Sequence, residues 1–251
     1  VDFDQSDFNE TGLDLNKSYE HMQHFERGYA WPNGRSVTNP GCPKRSYEEI
    51  VALSQDKTEL KNTIGSYRAR ANTAINIGMK WGVALLDPSF QPITQVLNQQ
   101  GKVDAVFANR PASYTDNETL KTVVLMTDGV NVDTYRIQPW YYDSPSERVH
   151  WNYNALERYL NRYVRSYRWN DWRYVKYTSH QADTMLSNIC SAAKSKGIVI
   201  WSIGFEVSDT SANVMRSCAS SPSHFFRVEG VEINEAFKAI ASQINQLRLI
   251  Q

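Results

Sequence analysis

Hydrophobic positions are unevenly spread along this chain. The first 45 residues are polar and irregular, with turn formers at Pro32-Asn33-Gly34 and Asn39-Pro40-Gly41 and no convincing strand; one short helix is expected around Lys17 to Arg27. After residue 46 the pattern becomes regular. Ile50-Val51-Ala52-Leu53 is a short apolar run, and Ser54 or Asp56 is the expected cap of the helix that follows, Glu59 standing at capping-box spacing from Asp56. Ile75, Gly78, Met79, Gly82, Leu85 and Leu86 share one face of a second helix, which Asp87-Pro88 stops.

Leu120 to Met126 is β-branched and almost wholly apolar, the pattern of a strand buried on both faces of a parallel sheet. Residues 183–195 place Met185, Leu186, Ile189, Cys190 and Ala193 on one helical face, with Gly197 as the C-terminal cap. Ile198 to Phe205 then reads as a second buried strand, 211–217 as a short helix, and His224 to Val228 as a third strand. A last helix carries Ile233, Phe237, Ile240, Ala241, Ile244 and Leu247 at helical spacing. This alternation predicts an open, doubly wound, Rossmann-like α/β fold with a mostly parallel sheet.

Residues 135–180 break the rhythm. They hold 13 of the 30 aromatic residues, with seven Arg and one Lys against four acids, so they read as an aromatic-rich insertion after the Asp128 strand. A helix is expected near Asn154 to Tyr167, where Leu156, Tyr159, Leu160, Tyr163 and Tyr167 recur every three or four residues. Two readings of the insertion stand side by side. Trp140, Trp151, Trp169 and Trp172 are candidate ligand-binding residues for sugars, peptides or another subunit, or else the rings and arginines bury one another as a self-packed lid.

Composition narrows the partners. Of 251 residues, 27 are Lys or Arg and 27 Asp or Glu, so no overall charge draws the chain to nucleic acid or to an anionic membrane. With 12% aromatic and 22% charged residues the chain is a folding one. No apolar run is long enough to span a bilayer, and Val1-Asp2-Phe3-Asp4 is no signal peptide. Cys42, Cys190 and Cys218 form no Cys-x-x-Cys and have no histidine at zinc spacing; an odd count permits one disulfide and one leftover.

Asp128, at the carboxyl end of a buried strand and followed by Gly129, stands where open α/β sheets bind ligands. Thr73, just before a helix, offers a hydroxyl to the same end, and a hard cation takes such oxygens. The alternative is that Asp128 is a turn or cap residue and Thr73 a helix cap. Catalysis is not expected: the sequence has no Gly-x-Ser-x-Gly, no P-loop and no His-Glu-x-x-His, and its five histidines are scattered, His224 having a structural character.

Lys121-Thr122-Val123-Val124-Leu125-Met126-Thr127-Asp128-Gly129 resembles the central strand and Asp loop of von Willebrand factor A domains. Closer still is the similarity to TadG-type pilus assembly proteins of bacterial tight-adherence (Tad) systems. It is carried by Asn72-Thr73-Ala74 with Trp81-Gly82, Ile189-Cys190 before Ala192-Ala193-Lys194, Gly197-Ile198-Val199 with Ile203-Gly204-Phe205-Glu206, Cys218-Ala219-Ser220-Ser221-Pro222-Ser223-His224-Phe225-Phe226, and Leu247-Arg248-Leu249. On this resemblance 1–45 is an irregular N-terminal segment and 46–251 an A-like domain interrupted by the insertion.

Several expectations follow from the resemblance. Thr73 and Asp128 would be metal ligands for Mg²⁺ or Ca²⁺, and Cys190 and Cys218 would form a disulfide, which implies an oxidising compartment such as the bacterial periplasm or cell surface. The function implied is non-enzymatic adhesion or assembly in a Tad-type pilus, with other pilus or envelope proteins, or a surface ligand, as partners. A carbohydrate-binding adhesin module acting through the four insertion tryptophans is the alternative. One element departs from the family: the first strand and its Asp-x-Ser-x-Ser loop are missing. Asp4-Gln5-Ser6, Asp87-Pro88-Ser89 and Asp143-Ser144-Pro145-Ser146 all fail as substitutes. The chain is therefore expected to be the C-terminal part of a longer domain, with the partner of Cys42 in the portion that is missing.

Overall fold

The structure, a computed structural model, describes residues 1–28, 37, 39–43, 45–68 and 71–250, with the backbone alone at 247–250. The expected turn at Pro32-Asn33-Gly34 and the side chain of Leu247 lie outside the described residues. In chain order the elements are α1 (Lys57–Ser66), α2 (Ile75–Ala84), α3 (Gln91–Gln99), β1 (Thr122–Thr127), β2 (Thr134–Ile137), α4 (Pro145–Tyr153), α5 (Leu156–Tyr163), β3 (Arg173–Tyr177), α6 (Ser179–Ser195), β4 (Val199–Phe205), α7 (Asp209–Cys218), β5 (Phe225–Val228) and α8 (Ile233–Ile250). The chain forms two compact units. One comprises Val1–Asp2, Tyr19–Asn72 and Val132–Thr178; the other comprises Phe3–Ser18, Thr73–Asn131 and Ser179–Gln251. This division differs from a boundary at residue 45, because N-terminal residues and α1 join the insertion.

The second unit is α/β. Its sheet runs β1-β4-β5, all parallel, with Val124 beside Trp201, Met126 beside Ile203 and Ile203 beside Phe226. Strand alternation puts Trp201 and Ile203 on one face, where they are fully buried with Val228 beneath Ala236 and Ile240 of α8. On the other face Ile200 and Ser202 are equally buried, with α6 and α7 packed against β4 and α2 against β1. Helices on both faces explain why β4 is buried along nearly its whole length.

The helix punctuation is local chemistry. Asp56 caps α1 by accepting from the backbone N–H groups of Thr58 and Glu59, and Ser208 caps α7 through Ser211. Gly197 ends α6 at φ +77°, a conformation that suits glycine. Asp87 caps the turn Pro88–Phe90 after α2 has ended. The disulfide Cys190–Cys218 joins α6 to the last residue of α7 at a Cα separation of 5.2 Å. Cys42 is free and half-buried.

The first unit is built on the antiparallel pair β2-β3 and on α4 and α5. Leu156 and Leu160, one turn apart on α5, enter a core with Phe25, Ile137 and Trp151, and Tyr141, Tyr159, Trp169 and Trp172 pack around it. No helix forms at Lys17 to Arg27. Residues 20–27 instead spend their backbone groups on neighbours: Asp2 N–H donates to the Glu20 carbonyl, Gly41 N–H to Phe25, Leu156 N–H to Glu26 and Glu157 N–H to Arg27. The expected helix at 154–167 is confined to 156–163, since Arg165 turns extended before the 3₁₀ segment Ser166–Asp171.

Candidate functional site

The carboxyl end of β1 brings Thr73 and Asp128 to one place. Both are exposed, and a methyl group built on Gly129 would lie 3.5 Å from Thr73 Oγ1. Gly129 N–H donates to Thr127 Oγ1 at 3.2 Å, which turns the chain out of the strand. Thr73 does not cap α2, and the helix is capped from a distance by buried Asn131. Its Oδ1 accepts from Ile75 N–H at 2.7 Å while its Nδ2 donates to Asp183 Oδ1 at 2.9 Å. A single amide thus ties the loop after β1 to the first turns of α2 and α6. Asn131 and Asp183 were not distinguishable in the sequence, because the motif ends at Gly129 and neither residue carries a capping pattern there.

As a cation site this end supplies hard oxygens, which is the chemistry Mg²⁺ and Ca²⁺ require. This chain brings a hydroxyl and a carboxylate; among the described residues no three His, Cys, Asp or Glu converge. The donors fit in kind and fall short of six in number.

The same strand presents an open edge. Within the described residues β1 pairs with β4 alone. The expectation that it is buried on both faces is overturned: Val124 is 40% and Met126 48% exposed, while Trp201 and Ile203 beside them are fully buried. The cover of α8 stops at β4. An unpaired edge with apolar side chains and no charge, proline or bulge within it lacks the usual guards against pairing.

The four insertion tryptophans are placed very differently. Trp151 is 1% exposed, and its indole N–H donates to the Tyr141 carbonyl at 2.7 Å, so no ligand reaches its face. Trp172 lies flat against Tyr141 at 3.9 Å between centroids and 5° between planes. Trp169 donates to the Val164 carbonyl and carries Arg173 over its ring. Trp140 alone projects, at 61% exposure. Arginines complete the packing. Arg27 and Arg173 lie 4.1 and 4.5 Å from the Tyr135 ring and both donate to Glu157 Oε1. Much of the insertion is thus self-packed.

His224 has a local role: its Nδ1 is 2.5 Å from Ser221 Oγ, its ring is 4.1 Å from Trp201, and burial lowers its pKa. Compared with models of known families, with curated proteins and with solved structures, the chain finds no match in any of the three.

Proposed function

We propose that the chain is a non-enzymatic adhesion and assembly component of a Tad-type pilus, a von Willebrand factor A-like domain whose sheet is completed by a strand from another segment. The observation that carries this reading is β1. Its sequence is that of a central strand, yet one edge is unpaired and Val124 and Met126 are exposed. An incoming apolar strand would satisfy the edge backbone and cover those side chains, which is recognition by strand addition.

The strand would arrive beside Thr73 and Asp128. With it would come the further oxygens that Mg²⁺ or Ca²⁺ needs, Thr73 holding the cation through its hydroxyl and Asp128 lying at the same end. The bound cation would supply a positive centre for an acidic group of the partner. The disulfide Cys190–Cys218 favours an oxidising compartment, and the bacterial envelope or cell surface suits that chemistry. No helix among the described residues is long and apolar enough to cross a membrane.

The test uses a synthetic peptide with a six-residue apolar strand followed by Asp-x-Ser-x-Ser. We expect it to bind the full chain, Val124→Lys and Met126→Lys to abolish that binding, and calorimetry to detect Mg²⁺ only once the peptide is bound. Absence of peptide binding, or binding indifferent to both lysines, would sink the reading.

A further inference from the structure

The first unit contains a pocket of about 390 Å³ where α4 passes into α5, lined by Tyr153, Asn154, Arg158, Tyr159, Arg162 and Tyr163. Helix geometry builds it. Leu156 and Leu160 hold one face of α5 in the core, so Arg158 and Arg162, four residues apart, share another face, and Tyr159 and Tyr163 share the stripe between. Asn154 shapes the corner by donating to the His150 carbonyl at 2.9 Å.

We propose that this pocket binds a carboxylated sugar, such as a uronic or sialic acid residue. The pocket lining contains two guanidinium groups and no carboxylate. Glu157, the acid on the same helix, is engaged by Arg27 and Arg173. Among the described residues Arg162 makes no ion pair; it lies 5.4 Å from the Tyr163 ring centre. A guanidinium fork matches a planar carboxylate. The tyrosines supply flat apolar faces for a pyranose ring, and their hydroxyls, with the Asn154 amide, supply polar contacts. Tyr153 and Tyr163 are 58% and 64% exposed.

Tyr159 is pre-positioned, its ring held within 4.9–5.5 Å of His150, Trp151, Trp172 and Tyr163. The volume suits one or two sugar rings and is at the small end of ligand pockets. An extended acidic peptide would want a long groove or a strand edge rather than this short, open pocket at a helix corner. The site is distinct from the carboxyl end of β1 and does not depend on a cation there.

Titration of the full chain with glucuronic acid, N-acetylneuraminic acid, glucose, acetate and tetraglutamate, followed by NMR or calorimetry, decides the matter. Saturable binding of at least one of the two sugar acids, at least tenfold tighter than glucose and acetate, is expected. Arg162→Gln and Tyr163→Ala should each weaken it about tenfold while circular dichroism and thermal unfolding stay unchanged, since both side chains are exposed. Four results would overturn the proposal: no saturable binding of either acid, acetate binding as tightly as the sugar acids, tetraglutamate binding tighter than both, or affinity unmoved by both substitutions.

Discussion

The ammonium group of Lys80, 1% exposed on α2, donates to the backbone carbonyl of Gly12 at 2.7 Å and to that of Glu10 at 2.6 Å. An amine so enclosed is held by burial to a pKa of about 8, below its ordinary value of 10.5. Between those values the unfolded chain binds a proton that the folded chain has released. Stability therefore gains from this group as pH rises through that window, at up to about 1.4 kcal/mol per pH unit. Urea denaturation of wild type and Lys80→Met at pH 7, 8, 9 and 10 should show the difference between them shifting in favour of wild type as pH rises; parallel curves would refute the assignment.

Asp2, in the first unit, also has a lowered pKa, but there because its charged form is favoured. Burial pushes its carboxyl upward, but Arg136, donating at 2.6 and 3.1 Å, and Lys176 at 2.8 Å outweigh that and hold it below 3.8. The contribution is complete above the unfolded value of 3.8 and is lost as pH falls through the lower folded value. Asp2→Asn should cost about 3 kcal/mol at pH 7, because it strands two cations in a largely buried place. The gap between variant and wild type should narrow in chemical denaturation as pH falls below 3.8.

Cys190 and Cys218 are buried to 1% and 0%, so reductant reaches them only on unfolding. Closing a loop of sequence separation 28 is worth about 3.5 kcal/mol. The Cys190→Ala, Cys218→Ala pair should lose about that much in guanidinium denaturation, and added reductant should bring wild type toward the variant while leaving the variant unmoved.

Trp151 and Trp140 stand eleven positions apart with opposite fates. Trp151→Ala empties a core place and should cost about 3–5 kcal/mol, while Trp140→Ala should stay within about 0.5 kcal/mol. Comparable losses at both positions in thermal unfolding would contradict the packing described.

Along the open edge, Val124→Lys and Met126→Lys should each change stability by less than about 1 kcal/mol. Ile203→Ala, one strand inward, should cost about 2–5 kcal/mol. Light scattering should also show less self-association for the lysine variants, because a charge guards an unpaired edge.

What the sequence revealed divides along physical lines. β4 and α6 were readable because their apolar periods are set by burial that the chain itself provides, and Gly197 and Asp56 because caps are local chemistry. The edge position of β1 was not readable: Val124 and Met126 have the side chains of a central strand, and nothing in their order says which neighbour is present. The helix expected at Lys17 to Arg27 failed because tertiary partners took its backbone groups. Ser144 and Glu147 carry a capping box for α4, but Ser144 was weighed only within the stretch Asp143-Ser144-Pro145-Ser146 as a metal loop. β2 and β3 were hidden by rings that packing, not alternation, had placed. Thr73 and Asp128 came from a motif, whereas the pocket of Arg158 and Arg162 emerges only once α5 has a known inner face.

The chain passes between its two units five times, entering the first at Tyr19 and again at Val132 and leaving it at Phe3, Thr73 and Ser179. On a ribosome this ordering has a price in time. Tyr19–Asn72 must wait for Val132–Thr178 before its core closes, and β1 must wait for β4 and β5. All segments of the first unit are made by Thr178, whereas the apolar β1 stands without its sheet partners until β4 and β5 follow, so β1 is the segment that chaperone protection during synthesis should serve.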